Sequence, residues 1–384
     1  MGELTLKQRF LSKLRSVPGL YSFLKEFWRW MVKAPVELVR ACGIGPRFGA
    51  ATGFFSALRQ VRCGECVGKV LLESQKLPWL PKDSLIQRAG MNQNGRQPWP
   101  IFWSMHPKAR MVGGSLALIN SSKLLMEESV YGEKFRLQDP SYNYLMLPKV
   151  ELLPGACTSL ISFWYEEYYH WFTDVVTRLS LLREFPDETR ILVRSPLRSY
   201  QRDSLRMLGL LDRVVETSSR HLLLEEYYFS SPVGMTGCTN PYAVRWLREQ
   251  FLHHRGAAQT PKRFFIKRRG KTRGIINQEE IAEYFLSKGW AAIYPEDLSL
   301  ADQIAYFHNA EVIVGEHGAA FTNLLWCRPG CRVLELCADN FLNGCYEGIS
   351  LCSGIDHNFK VFNGNLDNTF SVPKRIVEDF IHDN

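Results

Sequence analysis

The chain has 384 residues, 46% of them hydrophobic, enough for two domains with a sizeable core. Its formal charge of +8 favours an anionic partner (nucleotide, lipid headgroup or nucleic acid) without choosing among them. Ten cysteines without a framework spacing argue against a disulfide scaffold, and Cys63-Gly-Glu-Cys66 has no second pair at zinc-ribbon distance.

Residues 1–40 carry eight Lys or Arg interleaved with Phe10, Phe23, Phe27, Trp28 and Trp30, a pattern of basic amphipathic helices. Such an arm suits either an anionic membrane surface or docking on the body of the protein. No apolar run reaches the ~20 residues that span a bilayer, and the N-terminus lacks a signal-peptide pattern. The expectation is a cytoplasmic protein, peripheral at the inner membrane face. Residues 41–65 read as a connector, and residues 67–154 as mixed α/β with irregular loops.

Thr158–Phe185 has no Gly or Pro and repeats apolar residues at three and four, which predicts a largely helical stretch. His170, Asp174 and Arg178 then line one face. A His and an Asp one turn apart can form a base with its orienting carboxylate, two metal ligands or a simple surface pair. Arg190–Arg194, Tyr200–Leu211 and Arg213–Glu216 alternate strand, helix and strand, as in a parallel sheet. Ser231–Pro241 is turn-rich, a linker before a helix at Ala243–His254.

The following half alternates more regularly: strand Arg263–Lys267, helix Glu279–Ser287 started by Asn277 and Glu280, strand Ala291–Tyr294, helix Ser299–Asn309. Strand Glu311–Val314 leads through Gly315-Glu316-His317-Gly318 into helix Ala319–Trp326 and strand Arg332–Leu336. In open α/β sheets the turn after such a strand is where ligands sit, with the next helix offering N–H groups to an anion. Gly315 and Gly318 permit close approach and His317 adds a donor. The turn after Lys267 places Arg268, Arg269, Lys271 and Arg273 on the same rim, suited to clamping a diphosphate. Neither G-x-G-x-x-G nor G-x-x-x-x-G-K-S/T occurs, which removes the main support for NAD-type and P-loop readings.

YYHWFTDVVTRL, FFIKRRGKTRGIINQEEI and VIVGEHGAAFTNLLWCRPGCRVLEL, in that order, resemble the family-61 glycosyltransferases, which include bacterial polysaccharide-assembly enzymes and eukaryotic N-acetylglucosaminyl- and xylosyltransferases. The resemblance covers about Tyr168 to Leu336. It implies a GT-B-like fold of two Rossmann-like domains with a cleft between them: a helical arm at 1–60, an acceptor-side domain at 61–240, a nucleotide-sugar domain at 241–355 and a tail at 356–384 with a helix packing back. It also implies inverting transfer of a hexose or pentose, without an obligatory metal, from a nucleotide-sugar (a UDP-sugar above all) to a glycan or lipid-linked acceptor in surface or capsular polysaccharide biosynthesis. By the same resemblance Arg268 or Arg269 with Arg273 would hold the diphosphate, and Gly315, His317, Gly318 and Asn323 would meet the phosphates or lie in their motif. Glu335 would bind a ribose hydroxyl or serve as a strand-end charge. His170 or Asp174 would be the base or its orienter, with Glu316 a second candidate base. No D-x-D metal motif occurs. Where the family carries asparagine before the histidine and proline near Arg178, this chain has Glu166-Glu167 and Thr177. The competing readings are a nucleotide or polyanion binder that keeps the fold without the chemistry, and a nucleic-acid binder, which no recognised module supports.

Overall fold

A computed structural model describes residues 53–74, 84–89, 100–120, 122, 124–130, 149–234, 239–257, 259–270 and 273–382. The basic arm at 1–40 and Lys271 lie outside them. In chain order the strands are β1 (Gly53–Phe55), β2 (Gly68–Leu72), β3 (Ile101–Val112), β4 (Ala117–Ile119), β5 (Leu124–Met126), β6 (Glu151–Ser159) and β7 (Arg190–Arg194). They continue with β8 (Val214–Thr217), β9 (His221–Ser230), β10 (Arg263–Ile266), β11 (Ala291–Ile293), β12 (Val312–Glu316), β13 (Arg332–Ala338) and β14 (Asp356–Phe362). The fold is mixed α/β.

Two compact units divide the chain. The first draws on the described parts of Met1–Ala57, His106–Gly155 and Ser219–Glu226. There β1 runs parallel to β5, while β4 is antiparallel to β5 and to the end of β3 at Arg110–Val112. Within the stretch read as mixed α/β with irregular loops these strands thus form a small meander, of which β4 and β5, at three residues each, are too short to show a period. Glu128 ties it together by accepting from Ser56 Oγ at 2.6 Å and the Ala57 N–H at 3.0 Å.

The second unit comprises Leu58–Met105, Ala156–Ser218 and Tyr227–Asn384. One parallel layer runs from the end of β6 through β7 to β8. The other is a five-stranded, all-parallel sheet of order β11-β10-β12-β13-β14. That order places its topological switch point between β10 and β12, where the crossovers leave to opposite sides and a ligand crevice opens. β14 falls in the stretch read from sequence as tail: its alternating exposed and half-buried pattern suits an edge strand. The following helix, Lys374–His382, buries Val377 against Ile281 and Phe285.

Helix starts follow local chemistry. Ser299 caps Leu300–Asn309 by accepting the Asp302 N–H at 3.1 Å, and Asn240 caps Pro241–Phe251 through the Tyr242 N–H at 2.9 Å. Asn277 does not cap Gln278–Ser287; its amide instead exchanges two hydrogen bonds with the Val372 backbone, tying in the C-terminal segment.

The predicted helix over Thr158–Phe185 starts only at Tyr168. Thr158 and Ser159 end β6, and Trp164 holds a left-handed φ of 55°, which no helix tolerates. Even then it is irregular: a π-turn at Trp171–Val175, then 3-10 winding over Val176–Glu184. Thr173 and Thr177 each turn their hydroxyl onto the carbonyl four residues back, a known disturbance of regular winding. A single buried cluster joins this segment (Trp171, Phe172, Val175) to β10 and β12 through Phe264, Ile313, Phe321 and Trp326. The helix that carries His170 is therefore fixed to the sheet that carries His317.

Candidate active site

At the switch point of the five-stranded sheet lies a pocket of about 630 Å³. Ile266, Lys267, Arg268 and Arg269 line it from the end of β10, and Glu316, Gly318, Ala319 and Ala320 from the end of β12. Pro295–Leu300 after β11 and Ser199, Tyr200 and Asp203 of helix Ser199–Met207 complete the walls, with Tyr168 and Asn323. Gly315 is required by packing: a Cβ there would lie 2.9 Å from Ile266 Cβ and 3.2 Å from the Phe321 ring. A Cβ at Gly318 would approach Arg268 Nη1 at 3.1 Å. The helix after Gly318 makes its first internal bond at the Phe321 N–H, leaving the Ala319 and Ala320 amides ahead of it, as at any helix start.

The arginines take different posts. Arg268 donates from Nη1 to the His317 carbonyl at 3.2 Å and places Nε 3.4 Å from Glu316 Oε1. Its side chain is 27% exposed, so it has a free edge. Arg269 points outward, bidentate on Asp297 at 2.6 Å to each oxygen and over the Tyr294 ring. Arg273, at a φ of 56°, lies over the Phe341 ring at 5.0 Å and is not among the pocket residues.

Glu316 is buried. Its Oε2 accepts the Ile275 N–H at 2.7 Å, while Oε1 has no hydrogen-bond partner. Burial pushes the carboxyl up to about 7, against the opposing pull of that N–H and of Arg268, His317 and Arg273. Glu335 behaves oppositely. Burial alone would raise it, but the charge and hydrogen bond of His317 and the bond from His357 hold it at about 2.

Two of the expected contacts are corrected by this geometry. Glu335 cannot meet a ribose: it is fully buried, with Oε1 bound to His317 Nδ1 at 2.5 Å and Oε2 to His357 Nε2 at 2.8 Å. Mid-strand position in β13 points it into the layer, not to the strand's end. Asn323 borders the pocket, yet its amide is spent on structure. Its oxygen accepts from Tyr168 Oη at 2.8 Å and Trp326 Nε1 at 3.0 Å, and its nitrogen donates to Gln303 and the Ala320 carbonyl.

His170 and Asp174 form the pair that their spacing allows. Nδ1 of His170 is 2.6 Å from Asp174 Oδ2, and Asp174 Oδ1 lies 2.8 Å from Thr173 Oγ1. Asp174 is fully buried, so this is no surface pair, while the His170 ring stacks on Trp164 at 4.8 Å. A buried carboxylate on Nδ1 leaves Nε2 as the working nitrogen. Gly234 backs the pair; a Cβ there would sit 2.9 Å from the Thr173 carbonyl. Neither His170 nor His317 lines the 630 Å³ pocket. They are linked through aromatic rings: His170 on Tyr169 at 5.1 Å, Tyr169 on Tyr346 at 5.7 Å, Tyr346 on His317 at 4.9 Å.

Sequence reasoning missed His357, Ser350, Tyr346 and the pocket wall at Ser199–Asp203. Only a buried-looking Glu inside the apolar strand RVLELCA hinted that partners for it must exist. Among the described residues, His317, Glu335 and Cys337 bring three potential metal-ligating atoms within 4.8 Å. In the structure both Glu335 oxygens are bound by imidazoles, and burial drives the Cys337 thiol well up.

Part of the chain is similar to known proteins. The family described as Glycosyltransferase 61 matches residues 168–334. The EGF domain-specific O-linked N-acetylglucosamine transferase of Drosophila melanogaster is 25% identical over 142 residues, covering 33% of this chain and 26% of that protein. Its Mus musculus counterpart is 27% identical over 143 residues, covering 34% and 26%. The chain spans about a quarter of the length of these curated relatives. The stretch similar to the Glycosyltransferase 61 family, residues 168–334, contains His170, Arg268 and His317.

Proposed function

We propose that the protein is a glycosyltransferase that moves a hexose or pentose from a nucleotide-sugar, a UDP-sugar above all, to a glycan or lipid-linked acceptor. The observation that carries this reading is the pocket at the switch point, bordered by Arg268 and by the helix start at Gly318. Arg268 offers its exposed edge to a diphosphate, the Ala319 and Ala320 amides offer hydrogen bonds, and His317 sits in the same turn. Relatives named for transferring N-acetylglucosamine support glycosyl transfer at such a site. The two parallel layers of the second unit support a GT-B-like arrangement, with the pocket where they meet.

The transfer is proposed to invert the anomeric carbon in one displacement, without an obligatory metal. Such a step needs a base on the acceptor side and cations on the leaving-group side. Glu316 lies 3.4 Å from Arg268, on the leaving-group side, which disfavours it as the base. His170 is the base in this reading, through Nε2, with Asp174 orienting it through Nδ1. The acceptor oxygen bonds to the anomeric carbon as the carbon–phosphate oxygen bond breaks. The hydroxyl proton goes to His170 and the electron pair leaves with the nucleoside diphosphate.

The acceptor is proposed to be a growing surface polysaccharide at the cytoplasmic membrane face. The cationic, aromatic composition of residues 1–40 supports the membrane part. A thermal-shift panel of nucleoside diphosphates and nucleotide-sugars, with and without EDTA, tests the reading. A donor at a hundredfold excess over Kd stabilises by about 2.7 kcal/mol. One nucleotide series should shift the protein regardless of EDTA, and its sugar should then turn over with a glycan acceptor. Binding without turnover on any glycan would favour a nucleotide binder, and no shift at all would refute the pocket assignment.

A further inference from the structure

Glu335 sits in the middle of an otherwise apolar strand, and each carboxylate oxygen receives a different imidazole, His317 and His357. Beyond them, His357 Nδ1 lies 2.7 Å from Ser350 Oγ. The array crosses the turn after β12, then β13, β14 and helix Cys345–Ser353. Simple stability is a poor account of it, because apolar side chains of similar size fill such a position at least as well as a buried ionic group.

Hydrogen bonding dictates the tautomers. An ionised carboxylate only accepts, so His317 Nδ1 and His357 Nε2 must both carry hydrogen. His317 is thereby left with Nε2 for any ligand, and Tyr346 at 4.9 Å and Phe341 at 5.8 Å flank its ring. The Ser350 hydroxyl can donate to His357 or accept from it, so His357 stays satisfied whether neutral or charged. The ionisable groups around His317 are Glu335 and Cys337 on β13, Glu316 beside it, Tyr346, Arg268 on its carbonyl, and Arg273 over Phe341.

We infer that Glu335, His357 and Ser350 are positioning residues that hold His317 in one tautomer and present its Nε2 to the terminal phosphate of a bound nucleoside diphosphate. The inference rests on the transferase reading above. With Nδ1 already carrying hydrogen, His317 takes a second proton from solvent on Nε2 as the anionic phosphate binds; when the carbon–oxygen bond breaks, the electron pair passes to the diphosphate, and Nε2–H of the imidazolium meets that charge while keeping its proton. Glu335 supplies the countercharge.

UDP titration and ¹⁵N-histidine NMR on the full chain test it, using wild type, His357→Phe, His357→Gln and Ser350→Ala. The wild-type spectrum should show His317 with hydrogen on Nδ1. His357→Phe should shift the His317 ring-nitrogen signals and weaken UDP about tenfold, whereas His357→Gln, whose amide still donates to Glu335, should stay within about threefold of wild type. Ser350→Ala, the mildest change, should move the same signals in the same direction. Wild-type UDP affinity and unmoved His317 signals in both His357→Phe and Ser350→Ala would overturn the inference, as would a His317 with hydrogen on Nε2 alone. If wild type fails to bind any nucleoside diphosphate, the transferase reading falls, and the ring-nitrogen spectra still decide whether the array orients His317.

Discussion

Glu316→Gln should make the protein's stability less dependent on pH, and the direction follows from burial. The carboxyl is 4% exposed, its Oε1 has no hydrogen-bond partner, and burial lifts it from 4.5 to about 7. A group that binds its proton more tightly folded than unfolded stabilises the fold at low pH. Its contribution is complete below pH 4.5 and is lost as pH rises through about 7. At ~1.36 kcal/mol per pH unit the loss amounts to about 3 kcal/mol. Glutamine keeps the shape and can still accept the Ile275 N–H, but it cannot ionise.

The assay is urea denaturation of wild type and Glu316→Gln at intervals from pH 4.5 to 8.5. Other titrating groups are common to both proteins, so the difference between the two curves isolates Glu316. The variant should gain on wild type by about 3 kcal/mol across the window, most of it between pH 5 and 7.5. The attraction of Arg268 for the ionised carboxylate is already contained in the value of about 7, which it pulls down against burial. Parallel curves would refute the reasoning, because they would mean that Glu316 ionises in the fold as it does in water.

His170→Ala should cut turnover about 10²–10⁴-fold while UDP affinity stays within about twofold, since the base acts on the acceptor and not on the nucleotide; single-turnover kinetics beside calorimetry would separate the two. Arg268→Ala should weaken UDP markedly more than Arg269→Ala, because Arg269 already spends both ends of its guanidinium on Asp297; equal losses in a titration would reassign the phosphate clamp. Gly315→Ala should destabilise the fold by about 1–3 kcal/mol in urea, since its methyl would sit 2.9 Å from a Cβ that the backbone of β10 holds in place.

Much of the five-stranded sheet was legible because its strands are continuous apolar runs and its joints carry Gly, Arg and Asn. Strand β7 and the strands from β10 to β13 fall within two residues of the positions read from pattern alone. β14 was not, since an edge strand alternates and DHNFKVF resembles an ordinary polar tail. In the first unit β1, β4 and β5 escaped for a related reason: strands of three residues show no period. The helix at Tyr168 misled in its start, because a left-handed Trp164 and threonines bonding back to the chain leave no mark on apolar spacing.

The site divided along the same line. Local spacing found His170 with Asp174, because an i,i+4 pair is a short-range fact. The cationic turn was likewise visible, though sequence could not tell Arg268 from Arg269; Asp297, the partner that claims Arg269, arrives from the next strand's loop. Glu335 was misplaced because what matters is that two histidines reach it from separate elements, one of them 22 positions further along. A charge inside an apolar strand therefore signals a partner without naming it. In this protein the partner belongs to a strand that the pattern did not reveal. Burial of Glu335 without His357 would leave one carboxylate oxygen unmet in the core, so strand β14 and the orientation of His317 stand or fall together.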